Sequence, residues 1–193
     1  MSNKEPYFED IPDRRDTNSL KWGKYAGRDV IPLWVADMDF KSPPGVIERA
    51  SREADFGNFG YAKCPTGLVD VVIERCMELY GWEIESSWIV WLPGMVCALN
   101  VSCRVFEKDS SQVFTQTPVY PPFLSAPGNF DLPCTRIPMV FDSGRFGIDF
   151  DALEALPSNP SDLFMLCHPH NPVGTAFTKD ELKKFGEWAC RKE

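Results

Sequence analysis

The most constraining feature of this sequence is a repeated alternation of short β-rich runs with helical segments. The predicted strands are residues 88–92, 112–116, 134–140 and 163–167. The predicted helices are residues 46–56, 68–80, 95–106, 121–126 and 149–156, with another after the capping-box sequence Thr178-Lys-Asp-Glu181. Alternating strands and helices favour an α/β fold, here a three-layer α/β/α arrangement around a mostly parallel sheet.

Composition and charge argue against several classes of protein. Of the 193 residues, 44% are hydrophobic and 25% are charged, as in an ordinary globular domain and unlike disordered, collagenous or coiled-coil chains. A net charge of -8 argues against a nucleic-acid or anionic-membrane partner, because a phosphate backbone needs a basic surface. The apolar stretches are too short to span a membrane, and the first residues lack the apolar core of a signal peptide. A cytoplasmic location is expected.

The cysteines and histidines do not predict a metal site or a disulfide framework. The seven cysteines have no CxxC spacing, and most lie in apolar runs, namely Cys76, Cys97, Cys103, Cys167 and Cys190. We therefore expect buried thiols in a reducing compartment. His168 and His170 have no third ligand nearby, so no metal is predicted.

Two loops that follow predicted strands carry residues suited to a ligand, which an open α/β sheet binds at the carboxyl ends of its strands. In the first, Pro93 and Gly94 lead into a helix whose free N–H groups would suit a phosphate; a plain structural turn is the alternative. In the second, Tyr120 lies between prolines and could stack on a planar ligand. A tyrosine of the core or its rim is the alternative there.

A third loop, His168-Pro-His170-Asn171-Pro-Val-Gly174, follows another predicted strand. Two X-Pro bonds and a glycine within seven residues specify an unusual backbone path, with a cis bond as one possibility. Such a path would hold the amide of Asn171 towards the end of the sheet.

Together the strings PGMVCALN, QTPVYPPF and HPHNPVG resemble the aminotransferase class I/II family, which consists of fold-type I enzymes dependent on pyridoxal 5'-phosphate. Upstream, PLWVADMDFKSPP and NFGYAKCPTG resemble the MalY/PatB-like subgroup of cystathionine β-lyase (C–S lyase) proteins. The resemblance covers about residues 7–193. It implies a large domain of the pyridoxal-phosphate-dependent transferase type, truncated, together with an N-terminal segment of the small domain.

The resemblance also implies how the cofactor would be bound. Gly94 would set the turn from which Met95 and Val96 offer backbone N–H groups to the phosphate. Tyr120 would stack on the pyridine ring, and Asn171 would hydrogen-bond its 3-oxygen. The bonds Thr117-Pro118 and Asn171-Pro172 are expected to be cis.

Three further residues would bind the substrate if the resemblance holds. Trp34 would line the pocket, and Ala36 would present its backbone to the substrate carboxylate. Tyr61 would reach across a dimer interface into the neighbouring site, since the full-length protein is expected to be a homodimer.

The implied domains are residues 1–45, an N-terminal arm and small-domain segment, and residues 46–193, an incomplete cofactor-binding domain. Family members continue with an aspartate for the pyridine nitrogen, the Schiff-base lysine and an arginine for the substrate carboxylate, none of which can be assigned here. No catalytic residue is therefore predicted within this chain, and a truncated or split protein is expected.

The function implied is that of the N-terminal part of a C–S β-lyase that cleaves an amino-acid thioether to thiol, pyruvate and ammonia, with this chain alone inactive. A pyridoxal-phosphate-dependent aminotransferase of class I/II is the enzymatic alternative. A non-catalytic fragment or regulatory binding module is the alternative of another class.

Overall fold

The structure is a computed structural model that describes Phe8 and residues 10–105, 111–157 and 159–192. Its contacts divide the chain into two units, Met1–Asp70 and Val71–Glu193, which are described separately. Within the described residues, no helix has the length and apolarity needed to cross a bilayer.

The first unit contains two helices and the beginning of a third. Helix α1 is Leu20–Gly23, α2 is Pro44–Phe56, and α3, Thr66–Tyr80, continues into the second unit. Helix α2 has proline at its first position, where the missing N–H costs no hydrogen bond, and it ends at Gly57 in the left-handed conformation. The predicted helices at 46–56 and 68–80 are confirmed, and each begins two residues earlier than predicted.

The second unit contains the sheet and the remaining helices. In chain order these elements are a 3₁₀ helix Ser86–Trp88, α4 Met95–Cys103, β1 Val113–Thr117, α5 Pro122–Gly128, β2 Cys134–Pro138, β3 Val140–Asp142, β4 Arg145–Gly147, α6 Phe150–Glu154, β5 Leu163–Met165 and α7 Lys179–Lys192. The main sheet has the order β2-β1-β5, and β1 is parallel to both neighbours. Strands β3 and β4 form a separate antiparallel pair.

Helices cover both faces of the main sheet, because successive residues of a strand point to opposite faces. On one face, Val113 packs with Cys103 of α4 and Ala126 of α5. On the other, Phe114 packs with Leu153 of α6 and Trp188 of α7. The predicted three-layer arrangement with a parallel sheet is confirmed.

Of the predicted strands, one is wrong and another is wrong in part. Residues 88–92 form no strand, because a strand needs a hydrogen-bonded neighbour and this apolar run has none among the described residues. Residues 134–140 were predicted as one strand but divide between β2 and β3. The ladder with β1 ends at Pro138, and Val140 pairs with Gly147 instead.

Several element ends and cysteines also differ from the prediction. Helix α4 ends at Cys103, and Phe106 of the predicted helix lies outside the described residues. Cys103 and Cys167 are buried as expected, whereas Cys97 and Cys190 are exposed. Cys97 belongs to the first turn of α4, and Cys190 to the last turns of α7, so an apolar run did not ensure burial there.

Candidate functional site

The start of helix α4 offers unpaired backbone N–H groups. Its N-cap is Gly94, with no side-chain capping hydrogen bond, so the N–H groups of the first turn have no partner from a cap. Gly94 has φ +146°, a conformation that residues with a side chain rarely adopt, although a Cβ there would meet no atom within 4 Å. Conformation rather than space therefore requires glycine, and the helix start is suited to an anion.

The loop after β1 carries Tyr120 and is attached to the loop after β5. The Tyr120 N–H donates to the carbonyl of Asn171 over 2.8 Å. The Thr117-Pro118 bond is cis, as predicted. The Tyr120 side chain remains 41% exposed, so its ring is accessible to a ligand.

The loop after β5 is held by His170, which is only 1% exposed. Its Nε2 lies 2.9 Å from the carbonyl of Pro118, and because a carbonyl only accepts, Nε2 carries the hydrogen. Backbone hydrogen bonds between His170 and Thr175, and between Gly174 and His170, close the loop. Asn171-Pro172 is cis as predicted, and so is His168-Pro169.

The structure therefore brings Tyr120 and Asn171 together through two hydrogen bonds between their loops. Asn171 is exposed, and its side-chain amide has no hydrogen-bond partner within the described part of the chain. That amide is consequently available to a ligand.

Helix α4 is tied to this region only indirectly. Leu99 and Cys103 of α4 pack with Phe123 and Ala126 of α5, the helix that begins two residues after Tyr120. The carbonyls of Gly94 and Val96 accept hydrogen bonds from the Ala98 N–H and the Asn100 side-chain amide of the same helix. No described hydrogen bond joins Gly94, Met95 or Val96 to Tyr120 or Asn171.

Sequence reasoning missed two buried polar residues of this unit. His170 was considered only as a metal ligand, yet it joins the two loops. Gln116, the residue before the cis bond, is 1% exposed, and neither polar atom of its side chain has a partner in the described part of the molecule. Both residues lie within the strings QTPVYPPF and HPHNPVG, and this was the signal that could have identified them.

The predicted substrate residues all belong to the first unit. The indole of Trp34 donates from Nε1 to the carbonyl of Lys21 over 3.3 Å, and the Lys24 ammonium lies 4.0 Å from the Trp34 ring centre. Ala36 is exposed at the centre of a γ-turn, in which the Asp37 N–H donates to the Val35 carbonyl over 2.9 Å. Tyr61 is fully exposed.

The two acids of the WVADMDF string are paired with cations from the preceding segment. Arg14 forms two hydrogen bonds with Asp37, of 2.8 and 3.0 Å, which lower the pKa of that carboxyl. The Lys21 ammonium lies 2.7 Å from Asp39, and the Trp22 indole N–H donates to the same carboxylate over 2.9 Å. These two hydrogen bonds lower the pKa of Asp39, that from Lys21 being the larger cause.

Comparison with known proteins agrees with the motifs and the fold. A family model described as "Aminotransferase class I and II" matches residues 28–193. The cystathionine β-lyase PatB of Bacillus subtilis is 35% identical over 93% of this chain and 48% of its own length. The protein MalY of Escherichia coli is 28% identical over 91% of this chain and 47% of its own.

A solved structure gives the same result. Cystalysin from Treponema denticola, whose crystal structure contains a pyridoxal 5'-phosphate cofactor, superposes with a TM-score of 0.84 and 32% identity over 94% of this chain and 48% of its own. The chain thus spans about half the length of these relatives. Because the family model matches most of the sequence, the chain belongs to the aminotransferase class I and II family.

Proposed function

We propose that this chain is the N-terminal, cofactor-binding part of a pyridoxal-phosphate-dependent C–S β-lyase. The proposal is supported by family membership and by the cystathionine β-lyase and cystalysin relatives. The observation that carries it is the pair of hydrogen bonds that unites the loops of Tyr120 and Asn171 at the ends of two adjacent parallel strands.

The residues present fit pyridoxal 5'-phosphate. The uncapped start of α4 suits the phosphate, through the N–H groups of Met95 and Val96 behind Gly94. The half-exposed ring of Tyr120 is available to stack on the pyridine, and the free amide of Asn171 is available to donate to the ring 3-oxygen. When bound, this cofactor withdraws electrons from the bonds at the substrate α-carbon.

This chain would bind and orient the reacting groups. The amides of α4 would anchor one end of the cofactor, while Tyr120 and Asn171 would fix the plane and rotation of its ring. Proton transfer at the substrate needs a base, and no residue of this chain is assigned that role. We therefore propose that the chain alone is inactive and that chemistry requires the region corresponding to the other half of its relatives.

The substrate side of the proposal rests on the first unit. Trp34 would line the pocket, the Ala36 backbone would bind the substrate carboxylate, and Tyr61 would enter the site of a second subunit in a homodimer. The substrate would be an amino-acid thioether, cleaved to thiol, pyruvate and ammonia in the cytoplasm. We also propose that residues 1–45 form the arm and small-domain segment and that residues 46–193 form the incomplete cofactor domain.

Titration of the chain with pyridoxamine 5'-phosphate, followed by tryptophan fluorescence, tests cofactor binding. This amine form cannot react with surface lysines, so it reports the site alone. We expect Tyr120→Ala to weaken binding about fivefold, since an aromatic contact is worth about 1 kcal/mol. Tyr80→Ala is the matched control, because Tyr80 is an exposed tyrosine at the end of α3. Equal effects of the two variants would contradict the proposed site.

The reaction is tested in the holoenzyme that contains this chain. A lyase releases pyruvate from cystathionine without an added keto acid. An aminotransferase would instead convert the cofactor to its amine form without releasing pyruvate, and an added keto acid would reverse that conversion.

A further inference from the structure

Four charged residues form an ion-pair cluster next to the segment that carries Trp34 and Ala36. The cations Arg14 and Lys21 precede this segment, and the carboxylates Asp37 and Asp39 follow Ala36. We propose that this ion-pair cluster positions the γ-turn at Ala36 for the substrate carboxylate, so that Arg14 and Lys21 are positioning residues. The inference rests on the proposed function, because it assigns the carboxylate to Ala36.

The cluster fixes the backbone as well as the carboxylates. The Lys21 ammonium donates to the carbonyl of Asp37 over 2.7 Å, and Arg14 donates to the carbonyl of Met38 over 3.1 Å. The carbonyl of Lys21 in turn accepts the Trp34 indole N–H. Residues on both sides of Ala36 are therefore tied to the preceding segment.

Burial makes Lys21 the centre of the cluster. Lys21 is only 6% exposed, which is unusual for lysine, and such a charge must be paired to be tolerated. Its carboxylate partner Asp39 is itself oriented by the Trp22 indole. Since Trp22 and Lys21 both belong to α1, the Asp39 carboxylate adds two bonds to this helix beside the backbone bonds of Lys21.

The cluster also leaves the Ala36 N–H open. Within the described residues this N–H has no hydrogen-bond partner, although the carbonyls of Val35, Asp37 and Met38 are all engaged. Two cations and two anions nearly cancel, so the cluster adds little net charge of its own. Its contribution to substrate binding would thus be the placement of one N–H group.

Two variants separate the parts of the cluster. Lys21→Met removes the buried cation while keeping an apolar stem of similar length, and Asp39 stays partly exposed, so no buried charge is left unpaired. Arg14→Gln removes the two bonds to Asp37 and the bond to Met38. Arg52→Gln is the matched control, because Arg52 forms an exposed 3.0 Å ion pair with Glu48 in the same unit.

Backbone hydrogen exchange on the chain tests the cluster independently of activity. We expect Lys21→Met and Arg14→Gln to speed exchange of the Asp37 amide at least about tenfold, with α2 unchanged, because local opening becomes easier. Arg14→Lys should recover part of the protection, because it keeps the charge but loses the parallel bonds. Unchanged exchange at Asp37 would overturn the inference.

Kinetics of the holoenzyme test the link to substrate. In the Lys21→Met and Arg14→Gln holoenzymes, we expect the KM for the amino-acid substrate to rise at least about tenfold while kcat changes by less than about threefold. This pattern is typical of a loss of uniform binding. Faster exchange without a rise in KM would overturn the positioning role. If the wild-type holoenzyme transaminates rather than releases pyruvate, the proposed lyase function fails, and the same KM comparison with its amino-acid donor still decides the role of the cluster.

Discussion

Replacement of His170 by phenylalanine tests whether the two site loops are held together by its ring. The substitution keeps a flat ring of similar size in a site that is 1% exposed, but it removes the 2.9 Å hydrogen bond to the Pro118 carbonyl. Because Pro118 is exposed and water can reach its carbonyl, loss of this hydrogen bond costs about 0.5–1.5 kcal/mol. Loss of the Nδ1 atom, which has no partner among the described residues, returns part of that penalty.

The net effect expected is a loss of about 1 kcal/mol in the free energy of unfolding, which is about a fivefold shift in the equilibrium. Urea unfolding of the chain followed by circular dichroism measures this quantity, and an unchanged m-value would show that only stability changed. Because the Tyr120 loop also loses one of its two hydrogen bonds to the loop that carries Asn171, the affinity for pyridoxamine 5'-phosphate should fall as well.

His168→Phe is the matched control, two residues away in the same motif. His168 is exposed and stacks on Phe177, with ring centres 5.6 Å apart. Phenylalanine can keep this contact, but it loses the long 3.4 Å hydrogen bond that the Phe177 N–H donates to His168 Nδ1. We expect its effect on stability to stay within about 0.5 kcal/mol, because the residue is exposed and the bond lost is long. If His168→Phe costs as much as His170→Phe, or if His170→Phe changes neither stability nor affinity, the ring of His170 does not hold the loops.

Three further predictions concern the same unit. Leu153→Ala should lower the free energy of unfolding in urea by about 2–5 kcal/mol, because Leu153 of α6 is fully buried in the core cluster that includes Trp188 of α7. Gly94→Ala should weaken pyridoxamine 5'-phosphate binding, since alanine at φ +146° costs about 1–3 kcal/mol of strain or shifts the start of α4. Hydrogen bonds from Arg145 lower the pKa of Glu181 from 4.5 to about 2, so this carboxylate stabilises the fold above about pH 4.5. That contribution should disappear as the pH falls towards about 2, and Glu181→Gln should flatten this part of the stability–pH curve.

Local patterns predicted most of the elements and two of the three loops expected at strand ends, those of Tyr120 and Asn171 after β1 and β5. The loop at Gly94 follows no strand. Helices and strands of unit two were located because their apolar periodicity and their glycine and proline boundaries are encoded over short distances. The strand predicted at residues 88–92 was wrong, because the composition of the run shows that it is apolar but not whether a neighbouring strand is available to pair with it. At Pro138 the chain leaves the main sheet, and Val140 pairs with Gly147 in a short antiparallel pair. The sequence of residues 134–140 does not mark this change of partner.

Side-chain partners distant in the sequence could not be predicted. Arg14 lies 23 residues before Asp37, and His170 lies 52 residues after Pro118, so no local pattern links either pair. The resemblance supplied residues expected to touch cofactor or substrate, but it was silent about the residues that hold them in place. For both groups, only the folded chain shows which polar atoms meet.

The parallel pairing of β1 with β5 has a consequence for how such a site can vary. Adjacent strands lie about 4.8 Å apart because of backbone hydrogen bonds that any side chain permits. The spacing between the starting points of the Tyr120 and Asn171 loops is therefore set by main-chain atoms rather than by the loops themselves. Substitutions in either loop can therefore change the side chains presented at this edge without altering the distance between the two strands.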